Sequence, residues 1–142
     1  MGSILPRSAV PLALGADQAT EPERRQVKGY PAAEPHTPSK VAFSTGVAYG
    51  VWGVHMSDVG RLSLLAQELA AHVAERTLSD SLLVVAEYDA GFATVYVIAL
   101  GGTVRRPLDP GSLRHVRETD TAGVALFEVG LAAYVRVGVR LA

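Results

Sequence analysis

Four groups of residues have types and spacings that chemistry uses. Glu68, His72 and Glu75 stand at i, i+4 and i+7, one face of a helix, and could present a metal ion. A carboxylate-bridged metal pair needs Glu-x-x-His repeated on a second helix, whereas this sequence has Glu-x-x-x-His once. A solvated helical face with weak side-chain pairing accounts for the three residues more simply. His55, Ser57 and Asp58 bring a base, a hydroxyl and a carboxylate together along the chain. No Gly-x-Ser-x-Gly elbow is present, and adjacency in sequence is not triad geometry. Ser57 reads instead as a helix N-cap, with Asp58 at the positive end of the helix dipole. Glu87 and Glu128 each interrupt an apolar run, and a buried carboxylate there would titrate high enough to act as acid or base. Their plainer reading faces each to water or to an arginine across the sheet.

The cations form the next group. Arg105, Arg106, Arg114 and Arg117 crowd one polar stretch, and Arg136 and Arg140 share one face of the final strand. Together they make a candidate basic surface. Asp109, Glu118 and Asp120 interleave with them, and the aromatic spacing of single-strand binders is missing. Salt bridges between subunits therefore suit them better than specific nucleic-acid recognition, leaving Arg105, Arg106, Arg136 and Arg140 as interface candidates. Gly46, Gly50 and Gly53 precede a helix, but four residues separate the last from the helix start and no Lys-Ser/Thr follows. A phosphate loop needs tighter spacing, so these glycines read as the bends of a strand. His36 and His115 lie in segments whose frame the sequence does not define. No catalytic residue, cofactor or metal ligand is assigned.

Composition bounds the rest. The chain has 142 residues, 49% of them hydrophobic, and a formal net charge of −1, so a folded core is expected without a global field for nucleic acid or anionic lipid. It has no cysteine, which excludes disulfides, thiolate metal sites and thiol nucleophiles. No apolar run approaches the roughly 18 residues of a membrane helix. Pro6, Arg7 and Pro11 break the N-terminal apolar region, and Leu14 stands where a signal-peptidase site wants a small residue, which argues against a secretory signal.

Six of eight prolines fall within residues 1–38, so 1–40 reads as an extended proline-rich arm. A helical turn near residues 19–27, capped by Thr20, is its one expected local structure, and Ile4, Leu5, Leu12 and Leu14 are its candidate anchors on a neighbour. Residues 41–142 read as one α+β domain. "KVAFSTGVAYGVWGVH" gives one or two strands by its β-branched and aromatic content. Leu62, Leu65, Ala66, Leu69 and Val73 then mark a single principal amphipathic helix. "LLVVAEY" and "FATVYVIAL" form a hairpin through Asp89, Ala90 and Gly91, and both are apolar on two faces, so both need cover on two sides. A polar connection spans 101–123, long for a passive loop. The last run closes a mainly antiparallel sheet, with Gly130 as a turn or bulge and Val135, Val137, Val139 and Leu141 facing inward.

"VAYGVWGVHMSDVGRLSLLAQELAAHVAERT", residues 47–77, combines a strand bearing a Trp, a short polar turn and a helix of the form A-x-x-L-A-x-x-V; "AAYVRVGVRLA" ends the chain as aromatic-Val-x-Val. These stretches resemble the tail-terminator and related head–tail proteins of long-tailed bacteriophages. The resemblance implies a small α+β subunit that assembles as a ring and carries no catalytic residues. The family usually begins with a helix, so the proline-rich start departs from it and is closer to the arms of trimeric capsid decoration subunits. The function expected is thus a non-enzymatic structural subunit of a symmetric homo-oligomer, with other structural proteins as partners, in the virion or in cytoplasmic assembly and not in a membrane. The alternative is a small oligomeric enzyme or ligand-binding module, with His55, Glu87 and Glu128 converging between subunits and Arg105 or Arg106 holding an anionic substrate. A regulatory or nucleic-acid partner acting through the arginine stretch is a third reading.

Overall fold

The structure is a computed structural model that describes residues 21–101 and 103–142. It contains strand β1 (Arg24–Pro31), helices α1 (Thr37–Val51) and α2 (Met56–Arg76), and strands β2 (Ser81–Asp89), β3 (Phe92–Leu100), β4 (Thr121–Phe127) and β5 (Gly130–Gly138). The strands form one sheet in the order β1-β2-β3-β5-β4, and every neighbouring pair is antiparallel. The fold is therefore α+β on an antiparallel sheet, as expected.

The α2 stripe packs as its period requires. Leu62, Leu65, Ala66, Leu69 and Val73 are fully buried and share one core with Val84 and Ala86 of β2, Val95 and Val97 of β3, and Val135 and Val137 of β5. Burying each large side chain contributes about 1.5–3 kcal/mol, which makes this layer the main source of stability. Val41, Ala48 and Tyr49 bring α1 to the same face of the sheet. The Tyr49 hydroxyl lies 2.8 Å from the carbonyl oxygen of Glu87 and 3.1 Å from that of Thr94, so it caps two adjacent strands from above. Burial pushes its pKa up, which keeps the phenol a donor. The opposite face carries a second cluster, in which Leu83 and Val85 of β2 meet Tyr96 and Ile98 of β3, Ala132 of β5 and Phe127 of β4. β2 and β3 are thus buried on both faces.

Residues 41–56 correct the strand reading, because they are helix. α1 spans 37–51, and the chain has two helices among the described residues rather than one principal helix. Its buried positions, Thr37, Val41, Ser44, Thr45 and Ala48, keep helical spacing. Three of them are small and polar, which hides the stripe, while Phe43, Val47 and Val51, which added to the strand signal, point outward. Gly46 and Gly50 are helical as well. A Cβ at Gly46 would stand 2.4 Å from Ser63 Oγ, so this glycine lets α1 approach α2. Gly53, at φ +87°, turns the chain between the helices.

Within the stretch read as an arm, Arg24–Pro31 is an edge strand paired with β2, and Thr37 begins α1. The helical turn expected near 19–27 gives way to strand from Arg24 onward. Ile4, Leu5, Leu12 and Leu14 lie outside the described residues. Asp89 pairs with Phe92, so the β2–β3 hairpin turns on two residues, Ala90 and Gly91, both at positive φ, rather than on three. The last apolar run is two strands joined at Glu128 and Val129. Gly130 opens β5 where a Cβ would meet the Ala99 carbonyl oxygen at 1.9 Å. Among the described residues, no helix is long and apolar enough to cross a membrane.

Candidate functional site

The connection from β3 to β4 lies against one face of α2, held by the helical residues that looked solvated from sequence. Arg61 donates to both carboxylate oxygens of Asp120, each at 2.8 Å, and to the carbonyl of His115 at 3.0 Å. Glu68 accepts the backbone N–H of His115 at 3.1 Å, and its other oxygen meets His115 Nδ1. His72 Nε2 accepts the N–H of Asp109 at 2.9 Å. Glu75 pairs with Arg106 at 2.6 Å, and the Arg76 guanidinium donates to the Pro107 carbonyl at 2.7 Å. Glu68, His72 and Glu75 therefore clasp a long connection to its helix. Among the described residues no group of His, Asp and Glu is placed to hold a metal.

Charges in this clasp are tuned by their partners. Burial works against ionisation of Asp120, but the Arg61 guanidinium and the Arg117 N–H outweigh it and hold its pKa below the usual carboxylate range. Hydrogen bonding to Asp120 in turn raises the pKa of Arg61. Burial, and then the Arg76 charge, lower the pKa of His72, which suits an acceptor that must stay neutral. Under the clasp, Leu108, Leu113 and Val116 pack on the main core, so this segment is a cover and not a passive loop.

The other sequence candidates are kept apart. His55, not Ser57, is the N-cap of α2, and its Nδ1 accepts the N–H of Ser57. Ser57 Oγ lies 2.9 Å from that nitrogen and accepts from Arg140 at 2.7 Å, while Asp58 accepts the Arg140 N–H at 2.9 Å. The carboxylate thus serves Arg140 and does not orient the imidazole, so the three residues cap a helix and anchor the chain end. Glu87 stands opposite Arg25 in the β1–β2 register and accepts from it at 2.9 Å, the arginine-across-the-sheet arrangement. Burial raises its pKa against the opposing Arg25 charge. Glu128 occupies the exposed β4–β5 turn and interrupts no strand. Glu87 is level with Thr94 and Arg136, six residues along β5 from Gly130 beside that turn, which separates the two carboxyls by about 20 Å.

The arginines do not gather either. Arg106 reaches Glu75 near the C-terminal end of α2, and Arg140 reaches Asp58 at its N-terminal end, about 25 Å away at 1.5 Å per residue. Arg136 stacks on Phe92, 4.0 Å from the ring centroid, on the sheet face away from the helices.

Two features that sequence reasoning missed are the edges of the sheet. β1 and β4 each pair with one strand among the described residues, and their edges differ in chemistry. β1 reads RRQVKGYP and is guarded by three cations and a proline. β4 reads TAGVALF, with no charge and no proline, and leaves Val124 46% and Leu126 71% exposed on the helix side of the sheet. Beside β1, the side chains of Lys28 and Tyr30 face Ser39, Lys40, Phe43 and Ser44 of α1 across a cleft of about 370 Å³. The sequence signals were there, a seven-residue uncharged β run and Phe43, Val47 and Val51 at i, i+4 and i+8. Knowing that they lie at edges required the strand order.

No protein-family model matches the chain, and no curated protein matches it.

Proposed function

We propose that this chain is a non-enzymatic assembly subunit that builds a symmetric homo-oligomer, and that two copies join along β4. The observation that carries the reading is the unguarded β4 edge. An exposed, uncharged edge strand is a template for pairing with a second copy of itself, and β1 shows the like charges and proline that ordinarily oppose such self-pairing. Antiparallel pairing about a two-fold axis at Val124 would set Val124 against Val124 and Ala122 against Leu126 of the second copy, small against large. Covering the exposed parts of Val124 and Leu126 on both copies contributes about 5 kcal/mol before the cost of association.

The polar residues support the same reading, because those that could do chemistry are committed to internal partners: His72 to Asp109, Glu68 to His115, Asp120 to Arg61 and Glu87 to Arg25. The setting we propose is the one the resemblance implies, a virion head–tail, tail or capsid-associated structure in which Ile4, Leu5, Leu12 and Leu14 add contacts to neighbouring subunits. The helical half and final strand of that resemblance are α2 and β5, whereas its opening strand is the end of α1.

The chain lacks cysteine, so a single one can report the register. Oxidised Val124→Cys should form a disulfide dimer in high yield, because cross-strand partners place their Cα atoms about 5 Å apart. Leu126→Cys should not, its two copies being offset by about 13 Å. Equal crosslinking of both, or of neither, would reject β4 pairing in this register.

A further inference from the structure

We propose that the cleft between β1 and α1 binds an extended acidic segment of a partner protein, which adds to the sheet as a strand beside β1. This goes beyond the self-assembly reading and uses the opposite edge of the sheet. Four observations converge on it.

Among the described residues β1 is an outermost strand, and half of the N–H and C=O groups of such an antiparallel strand point away from its neighbour, so β1 offers a backbone ladder to a further strand. The wall above that ladder is α1, and the cleft of about 370 Å³ lies within the range of ligand-sized sites. Phe43, 76% exposed, lines it, and Val47 and Val51 follow one turn apart on the outer face of α1. A helix face turned to water ordinarily carries charge, whereas this one carries three large apolar side chains. Finally, the charge is one-sided. Among the described residues, Lys28 and Lys40 are the charged ones lining the cleft and no carboxylate lines it, and Arg24 stands further along the same face of β1. Lys40 pairs with Glu34 at 2.6 Å, an exposed contact that an incoming carboxylate can replace.

The same lysines decide the occupant. They set like charge against like if a second copy of β1 approached, and they favour an acidic strand whose alternate side chains point into the cleft. Glutamates on that face would meet Lys28 and Lys40, and an apolar residue between them would cover Phe43. Hydroxyls from Ser39 and Ser44 lie in the same lining.

The test is a fluorescent octapeptide whose alternate residues read Glu, Val, Glu, Val with Thr between them, titrated into the full chain. Amide shifts are followed by NMR. Binding should move the amides of Arg24–Pro31 and α1 and leave those of β4 in place. Lys28→Glu with Lys40→Glu, both at exposed side chains, should weaken binding about tenfold and transfer preference to a peptide with Lys in place of Glu. Phe43→Ala should weaken it about tenfold without altering the charge preference. Leu126→Lys should bind as the wild type does. The proposal is overturned by shifts confined to β4, by equal binding of the Glu and Lys peptides, or by no β1 shift at peptide concentrations on the order of 1 mM. Concentration-dependent β1 shifts without peptide would also overturn it, because a second copy would then fill the cleft.

Discussion

Replacing Asp120 by alanine would leave the Arg61 guanidinium, 13% exposed, facing a gap where two 2.8 Å hydrogen bonds now end. Removing one partner of a buried pair costs about 3–5 kcal/mol, because the remaining charge stays desolvated. Arg61 keeps the His115 carbonyl at 3.0 Å, which puts the expected loss near the lower end, about 3 kcal/mol. For a chain of this length each kcal/mol moves the midpoint by about 3 °C, so calorimetry should find Tm lower by about 10 °C. Arg61→Ala with Asp120→Ala should be no less stable than Asp120→Ala alone, since the stranded charge is gone. The carboxylate titrates below its ordinary range in the folded state, so its stabilisation is present above about pH 4 and lost as pH falls through the folded pKa. The alanine variant should lack that part of the acid limb. Asp120 directly precedes β4, so the same variant should raise hydrogen exchange in residues 105–120 and at the start of β4. A Tm shift below about 3 °C, or strict additivity in the double variant, would refute the clasp as an energetic unit.

Gly50→Ala should stabilise α1 by about 0.5–1 kcal/mol, because nothing stands within 4 Å of the added Cβ, whereas Gly46→Val should destabilise by about 1–3 kcal/mol through the contact with Ser63; chemical denaturation separates them. Ala90 sits at φ +49° in a two-residue hairpin turn, so Ala90→Asn should raise stability by about 0.5–1 kcal/mol in the same assay. His72 titrates below its ordinary value, so its contribution is present above about pH 6.5 and lost as pH falls through that value toward its folded pKa. Stability curves at pH 7.5 and 5.5 should therefore differ less in His72→Gln than in the wild type.

How far the sequence was legible depends on how local the deciding contacts are. α2 and the β2–β3 hairpin were readable because a stripe of leucines and two valine-rich runs around Ala90-Gly91 carry their periods within a few residues. α1 was not, because its buried face uses Thr45 and Ser44, and its closeness to α2 depends on Gly46, whose reason lies in Ser63 on the next helix. Tertiary packing there overrides the β-propensity of Val, Phe and Tyr. The clasp was invisible for a related reason. Glu68 and His115 stand 47 positions apart and Arg61 and Asp120 stand 59 apart, so helical spacing located the residues without their partners. The arginine opposite Glu87 was foreseen in type, and the β1–β2 register supplies it as Arg25.

Self-assembly along β4 can be read from the solution mass by light scattering, on the wild type and on Leu126→Lys. The wild type should run as a discrete oligomer. In the variant, losing both copies of Leu126 should weaken association by two to three orders of magnitude, at about 25 cal/mol per Å² of apolar surface, while the circular dichroism stays unchanged. A wild type that remains monomeric, or an oligomer indifferent to a lysine at position 126, would contradict it.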